Sequence, residues 1–108
     1  MKQDWKPGTL IYPLPAVMVS CGNDESEYNI LTVAWAGTLC TNLPMCYISV
    51  RPERHSHAII KKNMVFVINL TTQYTAFATD WCGVRSGKDY IKFSEMNLTP
   101  RTRTVVSA

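Results

Sequence analysis

The chain has 108 residues, of which 46% are hydrophobic and 18% charged, and a formal net charge of +3. That length accommodates one domain with one modest core, and the apolar and aromatic content argues against a disordered chain. The weak, mixed charge excludes nucleic acid or a membrane surface as the main partner, and no apolar run approaches the roughly 18 residues of a membrane span. Residues 1–10, MKQDWKPGTL, carry Asp4 and Pro7 where a secretory leader needs an apolar segment, so no leader is expected.

Taken in chain order, PLPAVMVSCG predicts a short strand ending at Gly22, and NDESEY a polar loop. Asn29 to Trp35 predicts a second strand and MCYISV a third, with Leu43-Pro44 punctuating the connection. After Pro52 the pattern changes to a short helix, with Arg54 or Ser56 near its start and Asn63 as its stop. MVFVINL is rich in β-branched and aromatic residues and predicts a strand. Thr71 and Thr72 then cap a helix over QYTAFATDWCG that ends at Gly83. Ser86 to Asp89 predicts a turn, and Tyr90, Ile91 and Phe93 the apolar side of a third short helix. Val105 and Val106 offer at most one weak strand in the tail. Parallel βαβ alternation is absent, so the expected class is mainly β, an antiparallel barrel or sandwich with short helices outside.

The four cysteines, Cys21, Cys40, Cys46 and Cys82, form no CxxC pair and have no zinc spacing with His55 and His57. They read as reduced, mostly buried thiols, which suits a cytoplasmic protein without a metal. Basic residues concentrate at Arg51, Arg54, Lys61 and Lys62 and again at Arg85, Lys88 and Lys92. Such clusters suit a small anion such as phosphate, although clustered charge is more often a solvated face.

The stretch NILTVAWAGTLCT has an apolar frame but almost no bulk at Ala34, Ala36 and Gly37, with hydroxyls at Thr32 and Thr38. A planar ring with a polar edge could lie against such a main chain, with Trp35 as an apolar wall. Small strand residues also mark a bulge or close sheet packing, and that is the commoner meaning. Arg51, Arg54 and Ser56 follow a strand and open a helix, where the helix N-terminus favours an anion.

The segments YPLPAVMVSCG, YNILTVAWAGTLCTNLPMCYISVRPERHSHAIIKKN, FVINLTT and TDWCGVRSGKDYIKF together resemble the flavoredoxin branch of the flavin reductase family, the FMN-binding split barrels. The resemblance runs from about residue 5 to 96, and the chain reads as a single domain over 1–108. It implies a six-stranded Greek-key split barrel, a homodimer, and non-covalent FMN near the subunit interface. It further implies that Asn29 and Trp35 contact the flavin ring and that the main chain of Thr32, Val33, Ala34, Trp35 and Ala36 follows its edge. Arg51, Ser56 and Lys92 match positions near the phosphate, and Ser86 and Gly87 the loop that closes over the cofactor. The implied activity is electron transfer between NAD(P)H and flavin or a redox protein partner. No catalytic acid–base residue is expected, since the flavin carries the chemistry.

Two departures accompany the resemblance. Leu43 stands where a second proline is common, and RTRTVVSA does not look like the family's continuation after MNLTP. The family's C-terminal strands are therefore expected to be absent, through an altered reading frame or in a short form that exchanges strands in a dimer. The corresponding alternative function is a flavin-binding or dimerisation fragment without turnover. A pyridoxamine-phosphate oxidase type of split barrel fits the SVRPERHS and CGVRSG runs poorly, and no histidine near Cys40 or Cys82 in sequence supports a thiol enzyme.

Overall fold

A computed structural model describes residues 1–101. The tail strand expected at Val105 and Val106 lies outside the described residues. The elements run β1 (Val17–Cys21), β2 (Asn29–Val33), β3 (Ala36–Cys40), β4 (Met45–Ile48), α1 (His55–Asn63), β5 (Val67–Leu70), a 3-10 turn (Gln73–Thr75), α2 (Ala76–Val84) and α3 (Lys92–Glu95). The chain is thus mainly β with short helices, as expected.

β1 is the centre of an antiparallel sheet of order β2-β1-β5, with Val19 opposite Leu31 on one side and Ile68 on the other. Successive side chains point to opposite faces, and both faces are covered. Val17, Val19, Leu31 and Val33 pack with Ile48, Val50, Ile60, Phe66 and Ile68. Met18 and Ile30 pack with Cys82, Trp81, Phe93, Met96 and Leu98. Burial on two faces is why β1 and β2 read as nearly unbroken apolar runs rather than alternating ones.

The strand expected from Asn29 to Trp35 stops two residues early, and a further strand not expected from the sequence follows it. β2 ends at Val33, the chain turns at Ala34 and Trp35, and β3 begins at Ala36 in a separate two-stranded sheet with β4. The small residues serve that corner. Gly37 lies under Tyr47, whose ring carbon would sit 2.8 Å from any Cβ there, so close sheet packing explains this glycine. The register shifts between Thr38 and Cys40, marking a bulge. The two sheets do not close into a barrel among the described residues.

α1 follows a turn in which the Arg54 amide donates to the Arg51 carbonyl, and it ends at Met64 in the left-handed region (φ 58°), whose amide closes on Ile60. The loop before β2 is fastened to the end of α1, because Glu27 accepts hydrogen bonds from Asn63, the Asn23 amide and Lys62. These bonds, Asn63's first, hold the Glu27 carboxyl below its ordinary range. Thr72 and Thr75 form a reciprocal cap that starts the helical run into α2. α2 then lies on β2, where the Thr32 hydroxyl donates to the Thr79 carbonyl. Gly83 approaches so closely that an added Cβ would stand 3.2 Å from that of Thr32.

Val19 is fully buried at the centre of β1, whereas Leu70 at the end of β5 is 83% exposed. Val19→Ala is expected to cost about 2 kcal/mol through lost burial and a residual cavity. Leu70→Ala is expected to change stability by less than about 0.5 kcal/mol. Urea unfolding of the two variants checks the contrast.

Candidate functional site

A cavity of 170 Å³ opens where the first residue of β2, the start of α1, the turn after α2 and the start of α3 meet. Asn29 is buried at its base, and its amide nitrogen donates to the Ser56 hydroxyl at 2.7 Å. Ser56 is buried in the first turn of α1. Gly87 covers the amide from the other side, since a Cβ there would lie 2.5 Å from Asn29 Oδ1 and 2.6 Å from the His55 ring. No other residue type fits at 87 without displacing both.

Lys92 is the unusual wall. It is 3% exposed, and its ammonium donates to the Cys82 carbonyl at 2.8 Å. Arg54, the residue before α1, donates through Nη2 to the neighbouring Gly83 carbonyl at 2.9 Å. Both acceptors belong to the last turn of α2, where carbonyls lack helical partners and the helix dipole is negative. One helix end thus gathers two cations. Burial pushes the Lys92 ammonium below its ordinary pKa, with Arg54 pushing the same way and the nearby thiols against it.

Arg85 and His55 add to the same wall, and the single carboxylate on it is Glu53, whose ion-pair partner is Arg51 at 4.0 Å. Lys92 and Arg54 thus have carbonyl partners, and Arg85 lies over the Trp81 ring, 6.0 Å from its centre. Such an arrangement can take up a small oxyanion through charge-assisted hydrogen bonds. The volume falls below the roughly 300–1,000 Å³ of pockets that enclose a whole drug-sized ligand. It suits a head group rather than an entire cofactor.

Five of the expected site residues, Asn29, Ser56, Ser86, Gly87 and Lys92, surround this cavity. Two more meet at the β2–β3 corner, where the Arg51 guanidinium carbon lies 5.9 Å from the centre of the exposed Trp35 ring, beside exposed Ala34. Ala36 packs at the edge of the core and Val33 within it. Thr32 turns its hydroxyl toward α2. Among the cavity walls, Arg54 stood out in the sequence through its place at a helix start. Arg85 was marked by the basic cluster it forms with Lys88 and Lys92, whereas His55 carried no signal of its own beyond flanking Ser56.

A second, wider groove of 520 Å³ lies beside β5, with Met18, Ile30, Val67, Phe93 and Leu98 on its walls and Arg101 as its one charged residue. Of the thiols, Cys21 and Cys82 are buried and raised in pKa by that burial, while Cys40 is half-buried and Cys46 exposed. Among the described residues no helix is long and apolar enough to cross a membrane, and no cluster of three or more metal-ligating side chains occurs.

The family described as flavin reductase like domain matches residues 9–107. Flavoredoxin of Desulfovibrio vulgaris (Miyazaki F) superposes with a TM-score of 0.84 at 31% identity, over 93% of this chain and 55% of that one. Flavoredoxin from Methanosarcina acetivorans superposes at 0.77 with 24% identity, over 89% and 50%. An uncharacterized protein of Pyrococcus abyssi (strain GE5 / Orsay) is 26% identical over 97 residues, 90% of this chain and 56% of the relative. The chain thus spans about half the length of the proteins it matches.

The buried ammonium predicts a pH signature. Below its depressed folded pKa, Lys92 is charged in both states and the folded chain bears the full desolvation cost. As pH rises from that value toward 10.5, the unfolded state binds more protons, so stability rises. Cys21 and Cys82 act with the opposite sign above their ordinary value of 9.0. The difference between the native chain and Lys92→Met therefore isolates the lysine. The variant is expected to gain less stability across the alkaline range, as read by denaturant unfolding at a series of pH values.

Proposed function

This chain belongs to the flavin reductase like domain family, and from that membership we propose that it binds FMN and serves as a flavin-dependent oxidoreductase. The observation that carries the reading is the cavity in which Lys92, Arg54 and Ser56 converge without a carboxylate partner for the two cations. Its residues fit a phosphate: two fixed cations, a hydroxyl, and the start of α1 directed at the same space. In this reading Lys92 and Arg54 hold the phosphate charge, and Ser56, fixed by Asn29, supplies a hydroxyl contact. Ser86 and Gly87 close the cavity. Ala34 and Trp35 offer an exposed, bulk-free corner with an aromatic wall for the flavin ring, and Arg51 lies over that wall.

FMN, when bound, supplies reversible uptake of a hydride or of single electrons. The protein's own part is to bind and orient. Cations anchored on α2 need no reorganisation to receive an anion. The electron donor is proposed to be NADH or NADPH, and the acceptor free flavin or a redox protein. The fold's open edges suit a homodimer.

A second reading, a flavin-binding or dimerisation module without turnover, is favoured by one observation. Among the described residues β5 pairs only with β1, and the sheets stay open.

The reading predicts a yellow complex, with the flavin absorbance bands shifted on addition of FMN to the purified chain. Lys92→Met is expected to weaken FMN roughly tenfold or more by removing a desolvated charge-assisted contact. Riboflavin, which lacks the phosphate, should be affected far less. A chain that takes up neither flavin overturns the proposal. NADH or NADPH oxidation by the flavin-loaded chain, set beside its mass from light scattering, separates the two readings. A flavin-loaded dimer without turnover would favour the second.

A further inference from the structure

Glu53 is the one acidic residue on the wall of the cation-lined cavity. It makes its ion pair with Arg51, at 4.0 Å, and both side chains are about two-thirds exposed. Arg51 does not line the cavity. Its guanidinium lies over the Trp35 ring instead. A continuous relay therefore runs from the cavity mouth to the β2–β3 corner, carboxylate to guanidinium to indole.

We propose that Glu53 is a specificity-determining residue of the flavin site, holding Arg51 over Trp35 and so competing with the ligand's phosphate for that guanidinium. This rests on the flavin reading above. Arg51 and Glu53 lie on one short turn closed by a hydrogen bond from the Arg54 amide to the Arg51 carbonyl, and the guanidinium stands 4.0 Å from the Glu53 carboxylate on the cavity wall, so the two are neighbours. An exposed ion pair and an exposed cation–π contact are each weak. Arg51 thus changes partners at small cost, and a phosphate dianion, which accepts two parallel guanidinium hydrogen bonds, is the stronger partner. Glu53 opposes that exchange. The consequence is selectivity: Glu53 lowers the affinity for a phosphorylated flavin and leaves an unphosphorylated one alone.

The test compares FMN and riboflavin binding by flavin fluorescence at low ionic strength, in the full chain and in Glu53→Gln, Arg51→Gln and the double variant. Glu53→Gln is expected to tighten FMN two- to fivefold with riboflavin unchanged, and most of that gain should vanish in the Arg51→Gln background. A second measurement needs no flavin. The Arg51 side-chain protons should carry an upfield ring-current shift, identified by its loss in Trp35→Leu, and Glu53→Gln should reduce it.

Unchanged or weaker FMN binding in Glu53→Gln overturns the role of Glu53, as does an equal gain for riboflavin. A gain that survives in full without Arg51 also overturns it, because the carboxylate would then act by direct repulsion. A ring-current shift indifferent to Glu53→Gln has the same meaning. If no variant binds FMN, the flavin reading itself falls, and the ring-current comparison still decides whether Glu53 holds Arg51.

Discussion

The arrangement of the site depends on the carbonyl end of α2. Helices leave their last carbonyls without internal partners, and here two of them, on Cys82 and Gly83, are taken by the side chains of Lys92 and Arg54. Each contact does two things at once. It satisfies a helix end, and it fixes a cation against the wall of a small cavity. α2 is in turn placed by β2, through the Thr32 hydroxyl on Thr79 and the near contact between Gly83 and Thr32. Removing bulk from Thr32 or adding it at Gly83 would shift both cations together, although neither residue touches the cavity.

That dependence explains which parts of the molecule were legible beforehand. β1 and β2 were readable because burial on two faces leaves continuous apolar runs, and α1 because Pro52, the polar start and Asn63 bracket it. The corner at Ala34 and Trp35 was not readable, because nothing local distinguishes a strand that bends into a second sheet from one that continues. Gly37 looked like a place for a ligand and is occupied by the Tyr47 ring. Lys92 reads as a surface charge in KDYIKF, and only the resemblance to relatives singled it out. Its burial depends on a carbonyl ten residues earlier, which no local pattern announces.

The flavoredoxin relatives are nearly twice as long as this chain, and the shared part superposes well. The shared part contains both the cavity and the corner. Among the described residues β5 also has an unpaired edge, with a wide groove beside it. Backbone groups at such an edge accept another strand readily. The cation-lined cavity and the open sheet edge are therefore separate features of this fold, the first local to three short helices and β2, the second a matter of what lies along β5.

The cavity is stitched from segments distant along the chain. Asn29 meets Ser56 across 27 positions, and Arg54 meets Gly83 across 29. These stitches join β2 to α1 and α1 to α2, so the cavity exists only where all three are docked. An anion bound there would act as a rivet through all of them: by mass action it would draw the population toward the fully docked state, and the tightness of that docking would follow the ligand.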